Sequence, residues 1–347
     1  MRVVVVGGGL SGLSAAIQLA VDGAEVILVE SNETLGGRVR LRDTGDWIID
    51  PGLHLLRSKG PLNQLLRKLR APRVLGEKFR KKDFFSISSS LSDGLSTLDQ
   101  MNLDSPTKTS DEFIIPRGGW SSIIGRLIVG INQLDVEVYA SSKVESINFQ
   151  NKIIQSVMVN GTRINCDKLI LAIPPLEASS LLKKAGIKTS ELDSCNHQSY
   201  AALDVAVEAK VMSPYSGLFC RDSGIIAIDM AQKDRIPSGR ESTECSIIHV
   251  VNLQAEGEDA LDQIKSFLDS RCSGWRKYAS KRRSSPSIMI HPCSLDERVD
   301  ASIYGESGII LAGSHVISDY ILSDAAVFTG RNAVSYTHLT LPTSYAV

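Results

Sequence analysis

Val3-Val4-Val5-Val6-Gly7-Gly8-Gly9-Leu10-Ser11-Gly12 is the stretch whose reading decides the fold. Four consecutive valines are long enough for a buried parallel strand, and Gly7, Gly9 and Gly12 follow in G-x-G-x-x-G spacing. Beyond them Leu13, Ala16, Ile17 and Ala20 recur at helical spacing, so the glycines fall between a strand and a helix, the context the motif requires. In that context Gly7 makes a tight turn, Gly9 admits a pyrophosphate close to the backbone, and Gly12 lets the helix pack on the strand. The helix N-terminus, with Leu10 and Ser11 in its first turn, faces the phosphates.

Gly23 closes the predicted helix, Glu25 to Val29 reads as a second parallel strand, and Glu30 falls at its end, eighteen residues after Gly12. A carboxylate there accepts hydrogen bonds from ribose hydroxyls and repels a 2′-phosphate. Six residues after Glu30 comes Gly36, followed by Gly37 and Arg38.

With that second glycine pair, Val6 to Arg38 (VGGGLSGLSAAIQLAVDGAEVILVESNETLGGR) resembles the extended FAD signature shared by amine oxidases, phytoene desaturases and squalene-associated desaturases. The resemblance implies an α/β fold: a Rossmann-type, glutathione-reductase-like FAD-binding domain, with an inserted substrate domain of mostly antiparallel sheet plus helices. It implies that Gly36 and Gly37 bring more backbone against the dinucleotide. Arg38 then offers donors to the pyrophosphate or ribityl chain, the plainer alternative being a surface arginine after a turn.

Three later segments match the same superfamily in order. Asp50-Pro51-Gly52-Leu53-His54 resembles its D-x-G-x-H loop, which implies that Gly52 and Leu53 lie beside the flavin and makes His54 a candidate neighbour of the active site, a packed or exposed histidine being the alternative. Ile115-Pro116-Arg117-Gly118-Gly119-Trp120 resembles the family's P-x-G-G helix start. Strand-like runs follow at 136–138, 144–147, 153–159 and 163–166, with a hairpin signal at Asn160-Gly161, before the run 169–175. The resemblance implies that Val144 contacts adenine through its backbone. Gly308 to Gly313 and then Asp324 to Arg331 resemble the closing FAD motif, which implies that Gly313, Ala325, Ala326 and Val327 line the flavin and ribityl side. Ser314 departs from the family's usual Asp: its hydroxyl still bonds a ribityl chain but brings no carboxylate, and Asp319 or Asp324 are the candidates to compensate.

Across 347 residues, 43% hydrophobic and 22% charged, the composition is that of a folded globular chain, and length alone suggests about two domains. A net charge of −1 supplies no field for gripping nucleic acid. Six dispersed cysteines form no metal pattern and read as thiols in a reducing, cytoplasmic setting. No apolar run reaches the roughly 20 residues of a membrane span. Phe84-Phe85 beside Arg80-Lys81-Lys82 leaves peripheral membrane contact open, with a solvated face as the alternative.

The expected cofactor domain is discontinuous, over 1–75, 115–175 and 295–334, with substrate pieces at 76–114 and 176–294. Within the second piece, strands are expected at 201–207, 224–228 and 245–251 and a helix over 259–278. The Thr-rich stretch 335–347, with Pro342, breaks the last helix pattern and reads as a non-native tail. The resemblance implies an FAD-dependent oxidoreductase that passes a hydride from a substrate C–H bond to flavin N5. The D-x-G-x-H loop and a lack of paired aromatics near the closing motif favour an apolar, isoprenoid-like small molecule over an amine. An amine oxidase, or a non-catalytic binding protein resembling the Rab GDP dissociation inhibitors, are the alternatives; no metal and no catalytic base is assigned, and oligomeric state is open.

Overall fold

The computed structural model describes residues 1–40, 45–50, 56–57, 59–72, 74–79, 84–86, 113–220, 222–291 and 293–337. In chain order the elements used below begin with β1 (Arg2–Val6), α1 (Leu10–Val21), β2 (Glu25–Val29), β3 (Leu56–Arg57), α2 (Pro61–Lys68), β4 (Gly76–Phe79), β5 (Phe84–Ser86) and β6 (Phe113–Pro116). Then come α3 (Gly119–Gln133), β7 (Glu137–Tyr139), β8 (Val144–Gln150), β9 (Ile153–Val159), β10 (Thr162–Asn165), β11 (Lys168–Leu171), α4 (Pro175–Lys184) and α5 (Ser190–Asp193). The chain continues through β12 (Gln198–Val207), β13 (Gly217–Cys220), β14 (Ile225–Asp229), β15 (Ser246–Asn252), α6 (Glu258–Arg271), β16 (Ala279–His291), β17 (Ile309–Leu311) and α7 (Leu322–Thr337).

The expected α/β architecture is present. Strands β17, β11, β1, β2 and β7, in that order, form a parallel sheet. The aliphatic runs of β17, β11, β1 and β2 are buried, as parallel strands covered by helices must be. Helix α1 packs between this sheet and α7 so closely that a Cβ at Gly330 would meet the Ser11 carbonyl. Beside the sheet, β8, β9 and β10 form an antiparallel meander, and the hairpin at Asn160-Gly161 has φ of +47° and +75° at its two central residues, the backbone its sequence signals.

A second sheet, ordered β16-β12-β15-β14-β13-β5, is antiparallel except for the β13/β5 pair. Period-two alternation gives it two different faces. Leu203, Val205, Ile248 and Val250 pack under Leu261 and Leu268 of α6. On the opposite face, Ala206 and Ile247 meet Trp47 and Ile49, and Ala202, Ile228 and Val251 meet Ile115, so this face closes on segments of the cofactor half.

Three details differ from the sequence reading. Helix α6 stops at Arg271 instead of running to 278, because the chain turns at Gly274 (φ +83°). Asp269 holds that turn by accepting from Trp275 Nε1 at 2.9 Å and Arg276 Nε at 2.6 Å. Strand β16 is not among the strands expected of this piece; it carries Lys281, Arg282 and Arg283 at the edge of the sheet, where cations and Pro286 discourage further strand pairing. Helix α7 continues past the break expected at 335 as far as Thr337, which is buried and donates its hydroxyl to Val334 O at 2.7 Å. Helices α4 and α5 pack through Ala178, Leu182 and Leu192 on the core of the parallel sheet.

Candidate functional site: a backbone cradle at the start of α1

β1 ends at Val6 and the chain turns at Gly7, where φ is +104°. The Gly7 N–H donates to Val29 O at 2.8 Å, tying the turn to the end of β2. A Cβ at Gly12 would run into the Gly7 carbonyl, so α1 sits directly on the turn. Gly36 N–H donates to Gly8 O at 2.8 Å, and a Cβ at Gly37 would stand 3.0 Å from Gly9 Cα. Gly9 differs from its neighbours: the nearest atom to its Cβ position is 3.8 Å away, so the protein leaves that side clear. Leu10 and Ser11 open α1, which no side chain caps, and Ser11 Oγ is buried without a partner among the described residues. Uncapped first-turn amides and an orphan hydroxyl are the donors a pyrophosphate would use.

Glu30 lies beside this cradle, 5% exposed. Its Oε2 accepts from Gly8 N–H at 2.7 Å, and Oε1 accepts from Asn32 N–H at 2.8 Å and Asn32 Nδ2 at 2.6 Å. Burial alone would raise its pKa; the hydrogen bonds from Asn32, Gly8 and Ser31 outweigh it and hold the carboxyl below its ordinary value. The segment leading to Val144 is anchored here too, since Ser142 N–H donates to Glu30 O at 2.8 Å and Ser141 N–H to Asn32 O at 2.9 Å.

The closing motif reaches the same place from the far end of the chain. Thr329 Oγ1 accepts from Gly313 N–H at 3.0 Å and donates to Ala325 O at 2.8 Å, locking the end of β17 to α7. Ala325, Ala326 and Val327 are buried in the first half of that helix. Arg38 Nη2 donates to Ser314 Oγ at 3.3 Å, and Nη1 donates to Ile290 O at 3.1 Å on β16. The residue stays open to solvent on one side while protein walls its guanidinium, and burial lowers its pKa. Arg38 is thus an exposed arginine whose guanidinium is tied to Ser314 and to Ile290.

Two titratable groups here escape the sequence reading or take on a different character. His315 is buried; burial, then Arg38 and Arg298, push its pKa down to about 3, and its Nε2 has no partner among the described residues. Asp324, buried in the first turn of α7, has its pKa raised to about 6 by burial, with Arg57 opposing. Its carboxylate faces Gly60, whose Cβ would stand 2.7 Å from Oδ1; no hydrogen bond joins it to Arg38 or Ser314 among the described residues. One expectation is corrected: paired aromatics are not lacking, because Tyr320 meets Phe328 with centroids 4.8 Å apart at 44°. The two are eight positions apart, with the start of α7 between them, so adjacency in sequence does not reveal the pair.

Asp50 is described, whereas Gly52, Leu53 and His54 lie outside the described residues, as does the basic stretch at 80–82. Sequence reasoning also passes over a buried Asp50–Arg235 pair and a buried His249–Asp204 pair, where His249 Nδ1 and Asp204 Oδ1 are 2.8 Å apart. Each pair joins residues more than forty positions apart, so no local spacing announces it. No helix among the described residues is long and apolar enough to cross a membrane.

Known proteins share this fold. The profile of the NAD(P)-binding Rossmann-like domain matches residues 5–69. That of the flavin containing amine oxidoreductases matches residues 73–246, half of the chain. The chain belongs to the flavin-containing amine oxidoreductase family, whose members are flavin-dependent oxidoreductases, and the cofactor of that family is FAD.

Among curated relatives, an L-amino-acid oxidase of Sistrurus catenatus edwardsii is 48% identical over 58 residues, covering 17% of this chain and 11% of its own. An all-trans-zeta-carotene desaturase of Myxococcus xanthus is 42% identical over 70 residues, 19% of this chain and 13% of its own. The matches therefore span little more than a tenth of either relative. Among solved structures, an oxidoreductase from Methanosarcina mazei superposes with a TM-score of 0.75 at 14% identity, over 96% of this chain and 100% of that one. Cyclohexylamine oxidase from Brevibacterium oxydans gives 0.66 at 14%, over 97% and 98%. At such identity these two likenesses speak for the fold.

The residues fit the cofactor physically. Side chains are absent where a pyrophosphate would lie, an ionised carboxylate stands at the end of β2, and unpartnered polar atoms remain at Ser11 and His315.

Proposed function

We propose that the chain is an FAD-dependent oxidoreductase acting on a C–H bond of an apolar, isoprenoid-like substrate, as a desaturase, dehydrogenase or isomerase-type enzyme. The observation that carries the flavin reading is the cradle itself: two glycine pairs packed backbone to backbone, closed by Glu30 through the Gly8 amide. In this reading Gly7, Gly9, Leu10, Ser11, Gly12, Gly36 and Gly37 surround the pyrophosphate, Glu30 and Val144 hold the adenosine, and Arg38, Gly313, Ser314 and Ala325 to Val327 hold the ribityl and flavin side. Gly52, Leu53 and His54 retain their proposed place beside the ring. When bound, FAD supplies the hydride acceptor; the chain's part is to align the substrate and exclude water.

An apolar substrate is supported by the likeness to the carotene desaturase; Ala202, Phe219, Ile226, Ile228, Met230 and Val251 on the inner face of the second sheet are core residues packed with Ile115. The domain assignment follows the same logic, with 1–75, 115–175 and 295–334 carrying the cofactor and 76–114 and 176–294 the substrate. A second reading, amine oxidation, is supported by the Tyr320–Phe328 pair beside the closing motif. Anaerobic titration separates them: bleaching of the bound flavin by a carotenoid precursor or squalene derivative supports the first reading. Bleaching by amines, with none by isoprenoids, replaces it with the second.

A further inference from the structure

Asp50 and Arg235 form a fully enclosed ion pair: both side chains are 0% exposed and Nη2 donates to Oδ2 at 3.1 Å. The Asp50 carboxylate also accepts from Trp120 N–H at 3.1 Å to each oxygen, in the first turn of α3. Gly119 makes room for it. A Cβ there would stand 2.7 Å from Asp50 Oδ2, and its φ of +66° is one that L side chains rarely adopt. Arg235 grips the same region by its backbone and side chain: its Nε donates to Ile48 O at 3.2 Å, and Ile48 N–H donates to Arg235 O at 2.9 Å.

Such a pair is a poor source of stability. Desolvating both ions offsets most of their attraction, and Arg235 Nη1 is left buried without a partner among the described residues, a further cost. What it supplies is direction, because it joins the loop after β14 to the segment before residue 51 and to the start of α3. One turn along α3, Ile124 Cγ2 lies 3.4 Å from the Cβ position of Gly36, whose amide holds Gly8. A continuous physical path therefore runs from Arg235 through Asp50 and the first turn of α3 to the paired glycines of the cradle.

We propose that Arg235 is a positioning residue of the flavin site: from the substrate-binding half, and through Asp50, it sets the start of α3 and hence the seat of Gly36 against Gly8. This rests on the flavin reading above. Substrate-half and cofactor-half geometry are thereby coupled through this buried ion pair, alongside the apolar contacts that join them.

The test uses the whole chain. Arg235→Met alone strands a buried carboxylate and can prevent folding, so the informative variant is Asp50→Asn/Arg235→Met, which removes both charges together. Its melting temperature in the FAD-free form is expected near that of the unaltered chain, while its FAD dissociation constant rises about tenfold, the size of a coupling carried through packed contacts. The visible circular dichroism of its bound flavin is expected to change as well. Arg235→Lys keeps the charge beside Asp50 but not the planar fork that also reaches Ile48, and is expected to fall between the two. FAD affinity and flavin dichroism equal to the unaltered chain in the double variant, or in Arg235→Lys should the double variant not fold, would overturn the proposal. Failure of the unaltered chain to bind FAD is a distinct outcome, which would overturn the flavin reading and this inference with it.

Discussion

The Gly8 amide donates to Glu30 Oε2 at 2.7 Å, so the acid at the end of β2 is also a strut of the glycine turn. The same carboxylate accepts from Asn32 through its other oxygen, which fixes its plane before any cofactor arrives. Glu30→Gln keeps the shape and loses the charge; Glu30→Ala loses both. Their FAD dissociation constants are expected to rise about tenfold and about a hundredfold respectively, the range for hydrogen bonds to charged groups. Because the folded pKa lies below 4.5, the contribution of Glu30 to stability is present above that value and lost as pH falls through the lowered one. Flavin fluorescence titrated downward in pH checks both statements.

Gly9 and Gly12 separate cofactor space from packing space. An added methyl at Gly9 meets nothing of the protein closer than 3.8 Å, whereas one at Gly12 meets the Gly7 carbonyl. Gly9→Ala is therefore expected to melt within about 2 °C of the unaltered apoprotein but to lose FAD, while Gly12→Ala loses about 1–3 kcal/mol of stability or more through overpacking. Equal thermal effects of the two substitutions would contradict the assignment of Gly9 to the cofactor.

Asp324 and His315 give the apoprotein two opposed pH dependences. Asp324 holds its proton more tightly folded, up to about pH 6, so its effect on stability worsens as pH rises from 3.8 toward 6. His315 stays neutral when folded, down to about pH 3, so stability falls as pH drops below 6.5 and the unfolded imidazole takes a proton. Where the windows overlap, each slope is at most about 1.4 kcal/mol per pH unit and the two largely cancel. Asp324→Asn should unmask a loss of stability toward acid, and His315→Gln a gain. Urea denaturation between pH 4 and 6 reads both signs directly.

Ser314 joins the closing motif to Arg38 by a 3.3 Å hydrogen bond. Ser314→Ala should raise the FAD dissociation constant by about fivefold, as for the loss of one neutral hydrogen bond. Ser314→Asp, which places a carboxylate beside Arg38, should lower it several-fold. Isothermal titration of the apoprotein measures the pair, and tighter binding by the alanine variant would remove Ser314 from the site.

Much of the cofactor half is legible because its signals are local. Val3 to Val6 with Gly7, Gly9 and Gly12, and the Asn160-Gly161 turn, each encode their structure within a few residues. The residues that escape are those whose meaning is made by tertiary contact. His315 is an ordinary histidine until Arg38 and Arg298 close around it, and Arg235 looks like one more basic residue in a polar loop until it is fully buried against Asp50. Strand β16 is hidden for a related reason, since its charges and proline suit an exposed edge and mask the pattern of an interior strand. The Tyr320–Phe328 pair depends on a loop and a helix meeting, which sequence spacing does not state.

The most direct test of the central claim is the flavin content of the purified full chain, measured by visible absorbance and by flavin released on heating, before and after incubation with excess FAD. The account predicts about one FAD per chain, lost in Gly9→Ala and weakened in Glu30→Gln. A folded, colourless chain that takes up no FAD would contradict it and leave a non-catalytic binding protein as the better description.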